Sequence, residues 1–352
     1  MRSVSRYIIG MLMLLVVMQG CTRMDLYELS TKVNLKLNLN MQINMNLDME
    51  IDTDLDKEFS DKVNGVMPEY MEVMFYDVES GARRASFILP VEGGTVSVAP
   101  GDYHIVAYNF GTESTQVDNL GNLNNAKAFT TNITKLMESK FKAIIANAPK
   151  TPGDSISQEL NSQTKGYEDD PIIHEPDHLY VANEERINVP AVIDQDMDIT
   201  IHATAKTILD IYSLEVIGVT GCENIEKVEA FITGQIEENY FGLAQRGSDP
   251  ATVYITLKVD PENGRLYTVF GTFGKLKGAN NKIFLDITVT NTDGGQYRYV
   301  YDVTEQFDDE NNDNNKLVVR DIIDIPAGSE GGGGLDPSVE EWDKEDIEIP
   351  LT

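Results

Sequence analysis

The feature that most constrains the fold is a long stretch of polar–apolar alternation at residues 32–55. Its odd-numbered positions are apolar, with Thr53 as the one exception, and its even-numbered positions are polar. Because successive side chains of a strand point to opposite faces of a sheet, this period of two predicts β-structure with one buried face. At ~3.3 Å per residue the stretch would span about 75 Å, which is longer than a usual strand. We therefore expect it to bend into two strands or to pass from one sheet to another.

Shorter β-patterns recur along the rest of the chain. Turn signals such as Pro100-Gly101 separate them, because proline fixes φ and glycine permits positive φ. The predicted strands are 70–76, 86–89, 95–98, 103–108, 197–204, 209–217, 225–233, 252–259, 265–272, 282–291, 296–304 and 316–324. Apolar residues at helical spacing predict one helix, from Ile133 to Ile145. Many short strands with one helix in the first half predict an all-β protein built of β-sandwiches.

The length suits two domains, each large enough to bury its own core. We place an N-terminal β-sandwich domain at 21–190 and a C-terminal β-sandwich domain at 191–326. Residues 327–352 are predicted to be a Gly-rich linker followed by a strand-sized segment. The terminal strand carries Trp342, Ile347, Ile349 and Leu351.

Residues 1–20 are predicted to be a lipoprotein signal peptide. Arg2 and Arg6 precede the 12-residue apolar stretch 7–18, and Gly20 stands before Cys21. A helix needs about 20 apolar residues to cross a hydrocarbon layer of ~30 Å, so this segment is too short to span. We expect cleavage before Cys21 and acylation of its thiol by diacylglycerol and palmitate, which would hold the chain on the outer membrane, exposed at the cell surface. The alternative is an ordinary secretory signal, with Cys21 incidental.

The chain is strongly acidic, with 28 basic and 58 acidic residues and a net charge of −30. Removal of Arg2 and Arg6 with the signal brings the charge to about −32. A surface this negative repels nucleic acid and anionic lipid headgroups, so we exclude both as partners. Once Cys21 is acylated, Cys222 is the one remaining thiol, which excludes an intramolecular disulfide and a two-cysteine metal site.

The motifs of catalysis and metal binding are missing from the sequence. His174 and His178 are four residues apart, but Pro176 between them argues against a metal-binding helix. There is no Gly-x-Ser-x-Gly elbow and no phosphate-binding loop. The acidic run 308–315 could bind calcium, yet it lacks the EF-hand glycine and terminal glutamate, which favours an open loop. We predict no catalytic residue, no metal and no cofactor.

Several segments of the chain resemble the fimbrillin-type lipoproteins of Bacteroidetes, which include a related domain family of unknown function. The resemblance lies in the acylated cysteine and in the segments 68–76 (PEYMEVMFY), 93–103 (GGTVSVAPGDY), 106–109 (VAYN), 175–180 (EPDHLY) and 270–274 (FGTFG). It implies two transthyretin-like β-sandwiches in tandem and a place in fimbriae as an anchor, accessory or tip subunit. It also implies assembly with other fimbrial subunits by strand exchange. Asp154-Ser155-Ile156 looks like an O-glycosylation site of such organisms, with Ser155 as the acceptor.

The sequence favours a lipid-anchored structural or adhesion protein without catalysis, acting as a fimbrial anchor or accessory subunit. The alternative is a surface lipoprotein that binds glycans or proteins on the same sandwiches. A hydrolase would need a concave carboxylate pair, which the sequence does not locate. The terminal strand has two interpretations as well: it is donated to another subunit, or it is the last strand of its own domain.

Overall fold

The structure is a computed structural model that describes residues 35–43, 54–133, 135, 139, 170–190, 199–278, 281–308 and 315–327. Strands dominate these ranges and helices are few and short, so the predicted all-β sandwich class is confirmed. In the same ranges, no helix has the length and apolar character needed to cross a membrane.

The elements are named in chain order. The strands are β1 (Leu35–Ile43), β2 (Tyr70–Asp77), β3 (Arg83–Pro90), β4 (Gly93–Val98), β5 (Gly101–Asn109), β6 (Thr115–Asp118), β7 (Lys127–Thr130), β8 (Ile172–His174), β9 (Tyr180–Val189), β10 (Ile199–Thr207), β11 (Asp210–Thr220), β12 (Ile225–Ile236), β13 (Glu238–Tyr240), β14 (Gln245–Arg246), β15 (Pro250–Thr256), β16 (Lys258–Asp260), β17 (Arg265–Thr272), β18 (Phe284–Asn291), β19 (Gln296–Asp302) and β20 (Lys316–Asp324). The α-helices are α1 (Asp54–Asn64) and α2 (Thr304–Asp308), and the 3-10 turns are Leu123–Asn125, Cys222–Asn224 and Phe241–Leu243.

The first sandwich is one seven-stranded sheet folded on itself, in the order β3-β2-β5-β9-β10-β1-β4. β9 and β10 share only the pairs Lys206–Val181 and Thr207–Tyr180, so the sheet bends there into two layers. The layers enclose a core of Met71, Val73, Phe75, Leu89, Val96, Val98, Tyr103, Ile105, Ala107, Tyr180, Ala182, Val189, Ile201, Ala203 and Ala205. In β2, the alternate residues Met71, Val73 and Phe75 point into this core, and in β5 the alternate residues Tyr103, Ile105 and Ala107 do so.

The second sandwich packs a four-stranded sheet, β16-β17-β11-β20, against a five-stranded sheet, β19-β18-β12-β15-β8. Its core is the larger of the two and includes Leu214, Val216, Val253, Phe270 and Ile287, all fully or almost fully buried. Each of the two sandwiches therefore has a hydrophobic core of its own.

The two sandwiches also exchange elements. Helix α1 lies in sequence between two strands of the first sandwich, yet it packs on β11 and β17 of the second, with Leu55 and Phe59 buried. In return, the segment after β12 leaves the second sandwich. Its strand β13 pairs with β7 in a separate four-stranded sheet, β14-β13-β7-β6, and Phe241 lies against the ring of Tyr108 in the first sandwich. These residues join a third apolar cluster that includes side chains from both sandwiches, including Val269. The sandwiches are thus interlocked rather than joined by a flexible linker.

Helix α1 corrects the expectation that alternation continues to Leu55. The helix begins at Asp54, where Asp54 and Asp56 place negative charge in the first turn and favour the helix dipole. Leu55 and Phe59, four residues apart, then share one buried face. Gly65 ends the helix at φ +57°, with its N–H donating to the carbonyl of Asp61 at 2.9 Å.

Most of the predicted strands lie where the sequence places them, but β6, β7, β8, β9, β13 and β14 were not predicted. β9 carries charged residues in its middle and a bulge near Arg186, whose φ is +49°, so its alternation is broken. The predicted helix 133–145 lies mainly outside the described residues, as does 44–53 of the alternating stretch. The domain division after residue 190 stays a proposal. Because β10 is hydrogen-bonded into the first sheet, a division drawn by the sheets would fall after Thr207.

Candidate functional site

The N-terminal strand β1 occupies an interior position in the first sheet. It runs parallel to β10 and antiparallel to β4, so both of its edges are paired. The pairs at the ends of the register are Leu37–Ile199 and Ile43–Ala205 with β10, and Leu35–Val98 and Asn40–Gly93 with β4. A strand in this position is held by two rows of main-chain hydrogen bonds and cannot leave without opening both. Residues close to the N-terminus are therefore a structural part of the sandwich.

The start of β1 lies beside the end of β4 and close to the start of β10. Leu35 lies beside Val98, close to the start of β10 at Ile199. Cys21 precedes Leu35 by 14 residues, which limits their separation to about 50 Å even for a fully extended chain. An anchor at Cys21 would therefore keep the start of β1 within about 50 Å of the membrane surface.

The described chain leaves the second sandwich beside the end of β11. β11 follows β10 after only Ile208 and Leu209, and β20 runs parallel to β11. The last pair of that register joins Thr220 and Asp324, and the N–H of Ile325 donates to the carbonyl of Thr220 at 3.0 Å. β1 thus begins beside the start of β10, whereas the C-terminal segment leaves beside the end of β11.

β20 is an edge strand of its sheet, and part of its free edge is occupied by a side chain. The N–H of Val318 donates to the amide oxygen of Gln306 at 2.7 Å, and the amide nitrogen of Gln306 donates to the carbonyl of Val318 at 3.1 Å. Farther along, Ile322 is 86% exposed. The edge is therefore blocked at Val318 and carries an exposed apolar side chain closer to the point where the chain leaves.

A cleft of about 770 Å³ lies where the two sandwiches meet, and we call it the junction cleft. Its walls are the last turn of α1, the loop 174–178 and the end of β15. Lys62 forms an ion pair with Glu175, which also accepts a hydrogen bond from the N–H of Gly271 at 2.8 Å. Burial raises the pKa of Glu175, while the positive charge of Lys62 opposes the rise. Burial also opposes ionisation of Asp177, but hydrogen bonds from Ser114 and the N–H of Thr115 hold its pKa below the usual value.

The histidines of this region have packing roles. His174 lies at the end of β8 with its ring edge-on to Tyr254, at a centroid distance of 6.5 Å. His178 stacks on Tyr180 at 5.6 Å, and burial lowers its pKa. The two rings lie on a strand end and a loop, so the structure does not place them on one helical face. In the described ranges, no group of three or more His, Cys, Asp or Glu side chains is arranged to hold a metal ion.

The predicted lipidation, glycosylation and tail residues lie outside the described residues. These are Cys21, Ser155, Trp342, Ile347, Ile349 and Leu351, together with residues 309–314 of the acidic run. Cys222 is described and is buried, and burial raises the pKa of its thiol. The junction cleft was not found from the sequence. Its walls come from segments up to about two hundred residues apart, and no local pattern signals that they meet.

Comparison with known proteins identifies the family. The model of a domain family described as "Domain of unknown function (DUF5119)" matches residues 47–256. The chain belongs to this family. A Bacteroides ovatus protein described as "Putative fimbrium anchoring subunit Fim4B" is 22% identical over 326 residues, covering 83% of this chain and 87% of that protein. The matching segment spans α1 to β15 and so includes strands of both sandwiches.

Two solved structures of Bacteroidetes proteins are similar to this family member. The crystal structure of a "putative adhesin" from Bacteroides ovatus has a TM-score of 0.55 at 19% identity, covering 89% of this chain and 99% of that one. This likeness supports the fold. The fimbrial anchor protein Mfa2 from Porphyromonas gingivalis has a TM-score of 0.46 at 12% identity, covering 82% of this chain and 90% of that one.

Proposed function

We propose that this protein is a lipid-anchored structural subunit of a cell-surface fimbrium, an anchor or accessory subunit that performs no catalysis. The observation that carries the proposal is that the two ends of the described chain belong to different sandwiches. β1 is fixed inside the first sheet 14 residues after Cys21, and the C-terminal segment leaves the second sandwich beside the end of β11. The description of the Bacteroides ovatus relative as a fimbrium anchoring subunit supports the same role.

This arrangement suits a subunit at the base of a polymer. A lipid at Cys21 would hold the first sandwich near the outer membrane, while the C-terminal segment would be available for a partner farther out. Because β1 is hydrogen-bonded on both edges, tension applied through the polymer would load two rows of main-chain hydrogen bonds. Such a strand can transmit force from the anchor into the fold.

The C-terminal strand-sized segment, 342–351, is the part of the chain that we propose to engage either its own domain or another subunit. Ile347, Ile349 and Leu351 lie at alternate positions, separated by Glu348 and Pro350, as expected of a strand with one apolar face whose last residues lie at a sheet edge. In the first case the segment would extend the sheet at the free edge of β20; in the second it would complete the sheet of a neighbouring fimbrial subunit.

Lipidation is tested by labelling cells with radioactive palmitate and separating their membranes. We expect Cys21→Ser to abolish the label and to release the protein from the outer-membrane fraction. Cys222→Ser is the matched control, because Cys222 is the other cysteine of the chain and is buried. Label that persists in Cys21→Ser, or a variant that still sediments with the membrane, would contradict the anchor.

The tail is tested by deleting residues 331–352 and measuring both the thermal midpoint and the incorporation of the subunit into fimbriae. A lowered midpoint indicates that the segment pairs within its own domain. An unchanged midpoint with lost incorporation indicates donation to another subunit. Unchanged incorporation excludes the donor role, and if Cys21→Ser also leaves fimbrial attachment to the cell intact, the anchor role is excluded with it.

A further inference from the structure

The junction cleft has no part in the anchoring role, and it is an open groove large enough to hold a small ligand. It opens between α1, the loop 174–178 and β15, and its volume of about 770 Å³ falls in the range of 300–1,000 Å³ that is typical of small-ligand pockets. It lies at the boundary between two sandwiches, which is a common place for such sites. The two sandwiches are interlocked through α1, so the walls are held in a fixed arrangement.

Most of the charges in the cleft are already satisfied within the protein. Glu175 is paired with Lys62 and accepts the N–H of Gly271. Asp177 accepts main-chain N–H groups of the segment that begins at Ser114. In a chain with a net charge of −30, a cleft lined by three carboxylates and one ammonium group disfavours an anion. A neutral ligand meets no such penalty, and its hydroxyls can donate to the carboxylate that the protein leaves unpaired.

Several polar groups of the cleft remain free to bind a ligand. The carboxylate of Asp61 is exposed and makes no hydrogen bond or ion pair with the described part of the chain. The hydroxyl of Thr256 is exposed as well, and Lys62 has further N–H donors beyond the one directed at Glu175. Donors and acceptors therefore face the same space, which suits a ligand whose groups both donate and accept.

An aromatic ring and apolar side chains complete the walls. Tyr254 is half-buried, and its ring is held by packing against Phe231 at a centroid distance of 5.5 Å, while its hydroxyl donates to Glu229 at 2.6 Å. His174 lies edge-on to the same ring, and Val66, which is 87% exposed, forms the rim. A fixed ring beside uncommitted donors and acceptors fits a sugar, because the apolar C–H face of a pyranose packs on a ring while its hydroxyls hydrogen-bond at the edges.

We propose that this cleft binds a short neutral oligosaccharide, with the ring of Tyr254 as its platform and Asp61 as a hydroxyl acceptor. The site does not depend on fimbrial assembly, so its test uses the purified full-length chain in detergent, with no other subunit present. Its failure and the failure of the anchoring role are therefore separate results.

The test is calorimetric titration with hexasaccharides of glucose, mannose and xylose, each at millimolar concentration. We expect at least one to bind, and Tyr254→Ala to weaken that binding about tenfold, as the loss of one aromatic contact implies. Tyr254→Phe is the matched control, because it removes the hydroxyl but keeps the ring, and its affinity should stay close to that of the unchanged chain. Asp61→Ala should also weaken binding, and its exposed position keeps it informative if Tyr254→Ala fails to fold.

Three results would overturn the proposal. The first is the absence of binding by all three sugars. The second is binding that neither Tyr254→Ala nor, if that variant is unfolded, Asp61→Ala reduces. The third is tighter binding of a hexalysine peptide or of a hexamer of galacturonic acid, either of which would assign the cleft to a charged ligand.

Discussion

Replacement of Phe241 by alanine tests whether the two sandwiches fold as one unit. Phe241 is 1% exposed and comes from the chain of the second sandwich, but its ring lies 5.6 Å from that of Tyr108 in the first. Substitution of a buried phenylalanine by alanine costs about 3–5 kcal/mol. Asn183 donates to the carbonyls of Phe241 and Gly242 at 3.1 and 3.0 Å, which holds the turn in place around the new cavity. We therefore expect a cost in the upper half of that range.

The assay is urea unfolding followed by circular dichroism and by tyrosine fluorescence. If the sandwiches are interlocked, both signals of the unchanged chain and of Phe241→Ala should report one transition, with a lower midpoint and the same slope for the variant. Leu243→Ala is the matched control, because Leu243 lies in the same 3-10 turn but is 36% exposed. Its cost should stay under about 1 kcal/mol.

Two results would refute this reasoning. A cost of less than about 1 kcal/mol for Phe241→Ala would show that the ring contributes little to the shared cluster. Two separate transitions, of which only one moves, would show that the sandwiches unfold independently despite their exchanged elements.

Three further predictions concern a glycine, a carboxylate and a strand edge. Gly218→Ala should lower the free energy of unfolding by more than about 1 kcal/mol, because φ is +100° and a Cβ would lie 2.2 Å from the carbonyl oxygen of Asp321. Gly111→Ala is the control: its φ is +85°, but no atom lies within 4 Å of the added Cβ, so it should cost less. The pKa of Asp177 lies below 3.8 in the folded chain, so its ionised form stabilises the fold above that pH and this contribution is lost as the pH falls through the folded pKa. Asp177→Asn should therefore flatten the loss of unfolding free energy on acidification, and equal slopes would contradict this. Gln306→Ala should expose the Val318 edge, lower stability by about 1–2 kcal/mol and raise the dimer fraction in light scattering; an unchanged monomer would argue against edge protection.

Local patterns predicted most of the sheet-forming segments. β2, β5, β12 and β18 were found because each is a short segment rich in apolar and β-branched residues that ends at turn signals. The turn residues between them are equally local, since the φ angles that proline and glycine allow depend on the residue itself. The period of two correctly placed β1, although it could not say where the strand would end.

The elements that the sequence missed are those whose surroundings come from distant segments. β9 was missed because charged residues and the bulge near Arg186 interrupt its apolar pattern, and its place in the sheet depends on pairing with the distant strand β5. Helix α1 is short, and its apolar positions Leu55 and Phe59 resemble the end of the strand pattern that precedes them. The face of β11 and β17 that they cover lies about 150 to 215 residues away in the chain.

By itself, the sequence determined the all-β class, the acidic surface and the order of most strands, because each of these depends on residue type and on near neighbours along the chain. The tertiary structure decided that β1 is an interior strand, that the two sandwiches exchange α1 and the segment around Phe241, and that Tyr254 and Asp61 border one cleft. Those outcomes depend on which faces remain uncovered once the sheets have formed. Pairing between residues far apart in the chain carries no local period, so only the folded molecule reveals it.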